Sequence, residues 1–237
     1  MPPRDSTSKD NLKTGGEILV ESLRINGVDK IFCVPGESYL AALDAFHDVP
    51  EIQLIVCRQE SGAAMMADTH ARLTGRPGVC FVTRGPGAAN ASAGLHIAMQ
   101  DSTPVILLIG QIARNHSERE AFQEVDYRRM FGQIAKWVGQ IDDENRVAEY
   151  MSHAFYRAQA GRPGPVVLAL PEDMLRARAS SCTIAPAVEI QSHPGRDDIF
   201  KMYSLLKKAQ KPLAIIGGGG WNIKSCKDFQ DFAEANE

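Results

Sequence analysis

Short apolar runs alternate along the chain with longer segments whose apolar positions recur at helical spacing. The apolar runs predict strands over residues 29–34, 52–57, 79–83, 104–109, 134–140 and 165–170. Several runs, such as VILLI and VVLAL, are apolar at every position, as in strands buried on both faces of a sheet. The alternation predicts a doubly wound α/β domain, with a mostly parallel six-stranded sheet and helices on both faces.

The intervening segments predict amphipathic helices. Thr14 and Glu17 have capping-box spacing, which indicates that a helix begins after Thr14. Further helices are predicted over residues 38–47, 60–73, 88–99, 118–130 and 145–158. The helix from residue 60 ends where Gly75 and Pro77 interrupt the pattern.

The periodicity also divides the chain into domains. We expect a polar, disordered tail over residues 1–12 and the α/β domain over residues 13–175. Residues 176–196 lose all periodicity and predict a linker. Residues 197–237 predict the start of a second α/β domain, with a strand over residues 213–216 between two helices. One strand and two helices cannot bury a core, so we expect this second domain to be truncated.

Composition excludes several classes of function. The net charge is −3 and the basic residues are scattered, which argues against nucleic-acid binding. No apolar run approaches the length of a membrane span, and the first residues lack a signal sequence, so we expect a cytoplasmic protein. The five cysteines include no CxxC pair and the histidines show no ligand spacing, so no metal site is predicted in this chain.

Unusual residues follow four of the predicted strands. They are the segments VPGE (34–37), RQE (58–60), TRGPG (83–87) and GQ (110–111). Ligands of open α/β sheets bind beyond the carboxyl ends of the strands, so these segments are the candidate site. The GPGAAN stretch that ends at Asn90 is not a dinucleotide fingerprint, because its third glycine is missing. It is either a phosphate-cradling loop or a tight turn.

Glu60 is the candidate for acid–base chemistry. It follows a buried strand and begins a helix rich in alanine and methionine. Loss of water around its carboxyl would raise the pKa, as proton-transfer catalysis requires. The alternative is that Glu60 only complements the dipole at a helix N-terminus.

Five motifs occur in one order along the chain. They are VPGE, RQESGAAMMAD, the run from LTGRPG to LLIGQ, AFQEVD and GRPGPVVLALPED. In this order they resemble the pyrimidine-binding domain of thiamine-diphosphate-dependent enzymes of the acetolactate synthase type. The resemblance covers residues 13–175, and PLAIIGGGG resembles the start of the central domain of that family.

The resemblance implies roles for matching residues. Glu60 matches the glutamate that hydrogen-bonds the aminopyrimidine ring, where sharing a proton favours the imino tautomer. Gln123 matches a catalytic glutamine that faces the reacting centre. The expected cofactor-binding residues are Pro35, Gly36, Glu60, Thr83, Pro86 and Asn90, and the expected walls of the substrate pocket are Phe122 and Gln111.

The resemblance also implies cofactors and partners. The cofactor is thiamine diphosphate, whose Mg²⁺ is bound in this family by a separate domain with a GDG…N motif. That motif does not occur in these 237 residues, so we expect the chain alone to be inactive. The substrate is a 2-keto acid, and the partner is the diphosphate-binding domain of a second subunit in a homodimer or tetramer. The run Gly217–Gly220 resembles a contact to FAD, or is a strand-to-helix turn.

Two alternatives to a decarboxylating carboligase remain. One is a related thiamine-diphosphate decarboxylase or lyase, although the adjacent histidine pair of pyruvate-decarboxylase-like members is reduced to His116 alone. The other is a non-catalytic α/β module. Arg84 stands where a serine is common in such synthases, which leaves the substrate open.

Overall fold

The computed structural model describes residues 12–180, 184–188 and 192–236. The expected tail lies outside this part of the chain, apart from Leu12. The chain divides into two compact units, and the boundary lies between residues 189 and 190.

The elements of the first unit follow one another closely. They are β1 (Leu12–Thr14), α1 (Gly15–Ile25), β2 (Lys30–Cys33), α2 (Leu40–His47), β3 (Gln53–Val56), α3 (Glu60–Thr74), β4 (Gly78–Val82), α4 (Pro86–Gln100), β5 (Val105–Gln111), α5 (Tyr127–Phe131), β6 (Trp137–Gln140), α6 (Val147–Gln159), β7 (Val166–Pro171), α7 (Glu172–Arg176) and β8 (Arg178–Ser180). The second unit contributes α8 (Arg196–Lys208) and α9 (Ile223–Ala235).

The central sheet has the order β3-β2-β4-β5-β7-β6, and every pair of neighbours is parallel. Every residue of β4, β5 and β7 is buried, as their continuous apolar sequences predict. One face packs on α1, α2 and α6, through residues such as Leu19, Phe46 and Phe155. The other face packs on α3, α4 and α5, through residues such as Ala67, Leu95 and Phe131. The predicted doubly wound α/β fold is confirmed.

The strand order reverses at β2. The chain passes from β2 outward to β3 and then returns to β4 on the other side of β2. Connections that leave in opposite directions open a crevice beyond the carboxyl ends of β2 and β4. The segments VPGE and TRGPG lie at these two ends.

Local sequence explains where the helices begin. The Thr14 hydroxyl accepts the N–H of Glu17 at 3.1 Å, and the Glu17 carboxylate accepts the N–H of Thr14 at 2.6 Å, which confirms the capping box. The Gln59 side chain accepts the N–H of Gly62 at 3.0 Å and caps α3. That cap makes Glu60 the first residue of α3.

The predicted helix over residues 118–130 is wrong in its first part. Only α5 forms, and residues 118–126 make an irregular loop with positive φ at Glu118, Glu120 and Gln123. The Glu124 carboxylate accepts the N–H groups of Glu118 and Ala121 at 2.7 and 3.1 Å. These bonds replace a helical ladder, which a local pattern of residues does not reveal.

Two other elements differ from the prediction. Residues 178–180, expected in the linker, form β8, which pairs antiparallel with β1. The strand expected over residues 213–216 is not formed, because no strand lies within residues 192–236 to pair with it. Parts of the predicted linker, at residues 181–183 and 189–191, lie outside the part of the chain described.

Candidate active site

Gly36, Thr83 and Gly87 meet at the crevice between β2 and β4. A Cβ atom added to Gly36 would lie 2.5 Å from Cβ of Thr83, and one added to Gly87 would lie 2.8 Å from its Cγ2. Neither position has room for a larger residue. The Thr83 and Ser38 hydroxyls are 2.8 Å apart and hydrogen-bonded, which fixes the rotamer of Thr83. Ser38 is a buried residue that the sequence analysis did not select.

Glu60 lies beside this cluster at the N-terminus of α3. Its Oε2 accepts a hydrogen bond from Nδ2 of Asn90 at 2.9 Å. The Ser61 hydroxyl donates to the carbonyl of Asn90 at 2.7 Å, so α3 and α4 are linked here twice. Oε1 lies 3.5 Å from the position that a Cβ on Gly87 would take. The carboxyl of Glu60 therefore faces the start of α4 at Gly87.

Burial of Glu60 is only partial. The extensive loss of water that its position suggested is not found in this chain. The helix N-terminus and the Asn90 amide both stabilise a carboxylate at this place. Geometry, rather than deep burial, is what sets Glu60 apart from other glutamates of the chain.

Gln123 reaches the same turn from its other end. Gly85 has φ +60, and a Cβ there would lie 2.7 Å from Cβ of Gln123. The tripeptide from Gly85 to Gly87 thus contacts Gln123 at one end and Glu60 at the other. Phe122 precedes Gln123 and is 74% exposed, so its ring is available as an apolar wall. The fold brings together residues that are about sixty positions apart.

Tyr127 supports the turn and was missed by sequence reasoning. Its hydroxyl accepts the N–H of Gly85 at 2.9 Å. Burial raises the pKa of Tyr127, so the hydroxyl stays protonated. The signal in the sequence was a tyrosine three positions after the AFQE motif, because a buried tyrosine hydroxyl needs a partner.

Arg84, for which the sequence predicted no role in the site, contacts three segments of the chain. Its guanidinium donates from Nη2 to Oε1 of Glu37 at 2.9 Å and from Nε to the carbonyl of Phe122 at 3.2 Å. Nη1 lies 3.7 Å from Oε2 of Glu172. The signal was a charged residue two positions after the apolar strand β4.

The remaining expected residues occupy different positions. Pro35 and Pro86 are exposed at the two lips of the crevice. Gln111 is buried, and its amide donates to the carbonyl of Val125 at 3.0 Å and accepts the N–H of Ile112 at 2.9 Å. Gln111 therefore holds the backbone behind the loop of residues 118–126 instead of lining an open pocket.

The loop borders an acidic depression of about 510 Å³. The residues that line it are Glu118, Glu120, Ala121, Gln123, Glu124 and Asp126. Across residues 12–180, 184–188 and 192–236, no group of three or more His, Cys, Asp or Glu side chains is placed to hold a metal ion. In that same portion, no helix is long and apolar enough to cross a membrane.

Known proteins resemble this chain over most of its length. The acetolactate synthase large subunit of Haemophilus influenzae is 35% identical over 229 residues, which are 93% of this chain and 40% of that protein. Isozyme 2 of the acetolactate synthase large subunit from Escherichia coli is 34% identical over 223 residues, 94% of this chain and 40% of that protein. The chain spans about two-fifths of the length of these relatives.

A family model matches the part of the chain that carries the crevice. Residues 13–130 match the thiamine pyrophosphate enzyme, N-terminal TPP binding domain. This range includes Gly36, Glu60, Thr83, Asn90 and Gln123. Residues 13–130 of this chain therefore belong to the family of thiamine pyrophosphate enzyme N-terminal TPP binding domains.

Proposed function

We propose that this protein supplies the aminopyrimidine-activating half-site of a thiamine-diphosphate-dependent, 2-keto acid decarboxylating carboligase of the acetolactate synthase type. The observation that carries the proposal is the carboxyl of Glu60, oriented by Asn90 and facing the turn from Gly85 to Gly87. The names of the relatives support the choice of reaction.

The carboxyl of Glu60 is the feature of the crevice that suits the aminopyrimidine ring. Gly36 and Gly87 pack against Thr83, which leaves no room for a side chain at either position. Oε2 of Glu60 is taken by Asn90, whereas Oε1 has no hydrogen bond within the part of the chain that the structure describes. Oε1 is therefore the atom that we assign to a ring nitrogen of the cofactor.

When bound, thiamine diphosphate would supply a carbon nucleophile that adds to the ketone and a cationic thiazolium ring that accepts the electron pair released by decarboxylation. The chain's contribution is to hold and move one proton at Oε1 of Glu60. Asn90 fixes the rotamer of that carboxyl through a single donated hydrogen bond. We assign Gln123 to the side of the reacting 2-keto acid, because it contacts the opposite end of the glycine turn. We assign the exposed ring of Phe122, the preceding residue, to the same side.

Other parts of the assembly are proposed on the resemblance. The diphosphate and its Mg²⁺ would be held by the diphosphate-binding domain of a second subunit, in a cytoplasmic homodimer or tetramer. FAD would contact Gly217–Gly220. A Cβ atom added to any of these four glycines would meet no atom within 4 Å, so the space beside them is open. A flavin absorption spectrum of the purified protein tests this last assignment.

The proposal is tested with the protein expressed from its complete reading frame, supplied with thiamine diphosphate, Mg²⁺ and pyruvate. We expect cofactor-dependent formation of acetolactate with release of one CO₂ for each two pyruvates consumed. Formation of acetaldehyde alone would favour the decarboxylase alternative. Absence of both turnover and cofactor binding would favour a non-catalytic module. A panel of other 2-keto acids then defines the substrate.

A further inference from the structure

The loop of residues 118–126 carries an unusual backbone. Glu118, Glu120 and Gln123 have φ values of +62, +52 and +65. The left-handed region is unfavourable for a residue other than glycine, so such a loop persists only where surrounding contacts hold it. The two hydrogen bonds that the Glu124 carboxylate accepts lie within the loop and do not attach it to the sheet.

Two side chains attach the loop to the carboxyl ends of the strands. Gln111 donates from the end of β5 to the carbonyl of Val125 at 3.0 Å. Arg84 donates from the end of β4 to the carbonyl of Phe122 at 3.2 Å. The Arg84 bond is the nearer of the two to Gln123, which has one of the three positive φ values.

The guanidinium of Arg84 is itself held from two directions. Glu37 follows β2 and accepts from Nη2 at 2.9 Å, and Glu172 begins α7 directly after β7 with its carboxylate 3.7 Å from Nη1. The side chain of Arg84 is 10% exposed, whereas that of Glu37 is 71% exposed, so the guanidinium is buried while its Glu37 partner lies at the surface. One planar group thus connects segments that follow β2, β4, β5 and β7. A lysine ammonium lacks the fixed fork of donors that this requires.

We propose that Arg84 is a positioning residue that fixes the turn at Phe122 and Gln123 against the Gly85–Gly87 tripeptide. Its consequence for catalysis rests on the function proposed above, whereas its effect on the loop does not. Nε and Nη2 each donate a hydrogen bond within the chain, and Nη1 is buried beside Glu172, so we assign Arg84 to positioning of the loop and not to the substrate carboxylate.

The primary test is hydrogen–deuterium exchange of the 237-residue chain, with wild type compared to Arg84→Met and Arg84→Lys. We expect backbone amides of residues 118–126 to exchange about tenfold faster or more in both variants, while α6 keeps its protection. Arg162→Met is the matched control, since Arg162 donates to Ser102 and to the carbonyls of Met99 and Gln100, away from the loop. Unchanged exchange of residues 118–126 in Arg84→Lys would overturn the proposal.

Kinetics of the protein from its complete reading frame provide a second readout. Arg84→Lys should lower kcat about tenfold and change KM for the 2-keto acid less than twofold, because a displaced loop misplaces groups that act on the bound substrate. A higher KM with an unchanged kcat would mean that Arg84 contacts the substrate, and would overturn the proposal. If wild type itself shows no turnover, the proposed function fails, and the exchange measurement still decides the role of Arg84.

Discussion

The hydroxyl of Tyr127 accepts the backbone N–H of Gly85 across 2.9 Å, at a glycine with φ +60. This bond joins the start of α5 to the turn before α4. It satisfies a buried donor in a conformation that other residues rarely adopt. The geometry of the candidate site depends on it from the side opposite to Glu60.

Tyr127→Phe removes this acceptor and leaves the N–H of Gly85 buried. We expect the free energy of unfolding to fall by about 1–3 kcal/mol, the usual cost of an unsatisfied buried donor. Urea unfolding followed by circular dichroism measures it. Tyr156→Phe is the control, since Tyr156 is 45% exposed and its hydroxyl makes no hydrogen bond within the residues described. Equal effects of the two substitutions would argue against the importance of the bond.

Glu60→Gln tests the proton transfer that we assign to this residue. Glutamine keeps the shape and accepts from Asn90, but it cannot donate a carboxyl proton to a ring nitrogen. In the protein from the complete reading frame, deuterium exchange at the thiazolium carbon of bound cofactor should slow by about 100-fold or more. Cofactor affinity should change much less.

The matched control for that experiment is Glu51→Gln, which alters an exposed glutamate. It should leave the exchange rate unchanged. If Glu60→Gln exchanges at the wild-type rate with full cofactor occupancy, Glu60 serves only the N-terminus of α3.

Gly36→Ala tests the close approach of the segment that follows β2 to Thr83. The added Cβ would lie 2.5 Å from Cβ of Thr83, which must then move. We expect a loss of about 1–3 kcal/mol in the free energy of unfolding, as for other overpacked sites. Gly62→Ala is the opposite case, because its Cβ meets no atom within 4 Å inside α3. That variant should gain about 0.5–1 kcal/mol.

Stability should decrease at alkaline pH through the buried thiols. Burial, and to a lesser extent Cys57, raises the pKa of Cys33 to about 11, and burial raises the pKa of Cys80 well above its usual value. An unfolded cysteine ionises near pH ~8.5. The stabilisation is therefore complete below about pH 8.5 and is lost as pH rises through the folded-state pKa.

Urea midpoints between pH 8 and pH 10 measure this decrease. The double variant Cys33→Ala, Cys80→Ala should be less stable at pH 8 and should show a smaller slope with pH. Cys226→Ala, at an exposed position, should keep the wild-type slope. If the urea midpoint of the double variant changes with pH as steeply as that of wild type, groups other than these two thiols cause the pH dependence.

The paired strands β1 and β8 predict the boundary of the resistant core. Brief proteolysis should leave a fragment from about residue 12 to at least residue 180, because both strands lie in one antiparallel pair. Cleavage should fall within the remainder of the proposed linker, up to residue 196. Mass spectrometry of the fragments identifies the ends. Rapid cleavage between residues 79 and 109 would contradict the assignment of the domain.

Much of the fold could be predicted from sequence because the responsible interactions are local or depend on burial alone. The continuous apolar sequences of β5 and β7 predicted strands that are covered on both faces of the sheet. The capping-box spacing of Thr14 and Glu17 predicted where α1 begins, because that interaction joins residues only three positions apart. The segments VPGE, RQE, TRGPG and GQ, which follow four of the strands, predicted the edge of the sheet at which the candidate site lies.

Tertiary structure alone decided the rest. The pattern of residues 118–130 is helical, yet Arg84, Gln111 and Gly85 contact the first part of this segment from other elements and hold it in a loop. Residues 178–180 form a strand only because β1 is available as a partner. The spacing of apolar residues shows only which face of a segment is turned toward the core and which toward solvent. The partners of a single guanidinium or hydroxyl lie tens of residues away, and only the folded chain brings them within hydrogen-bonding distance.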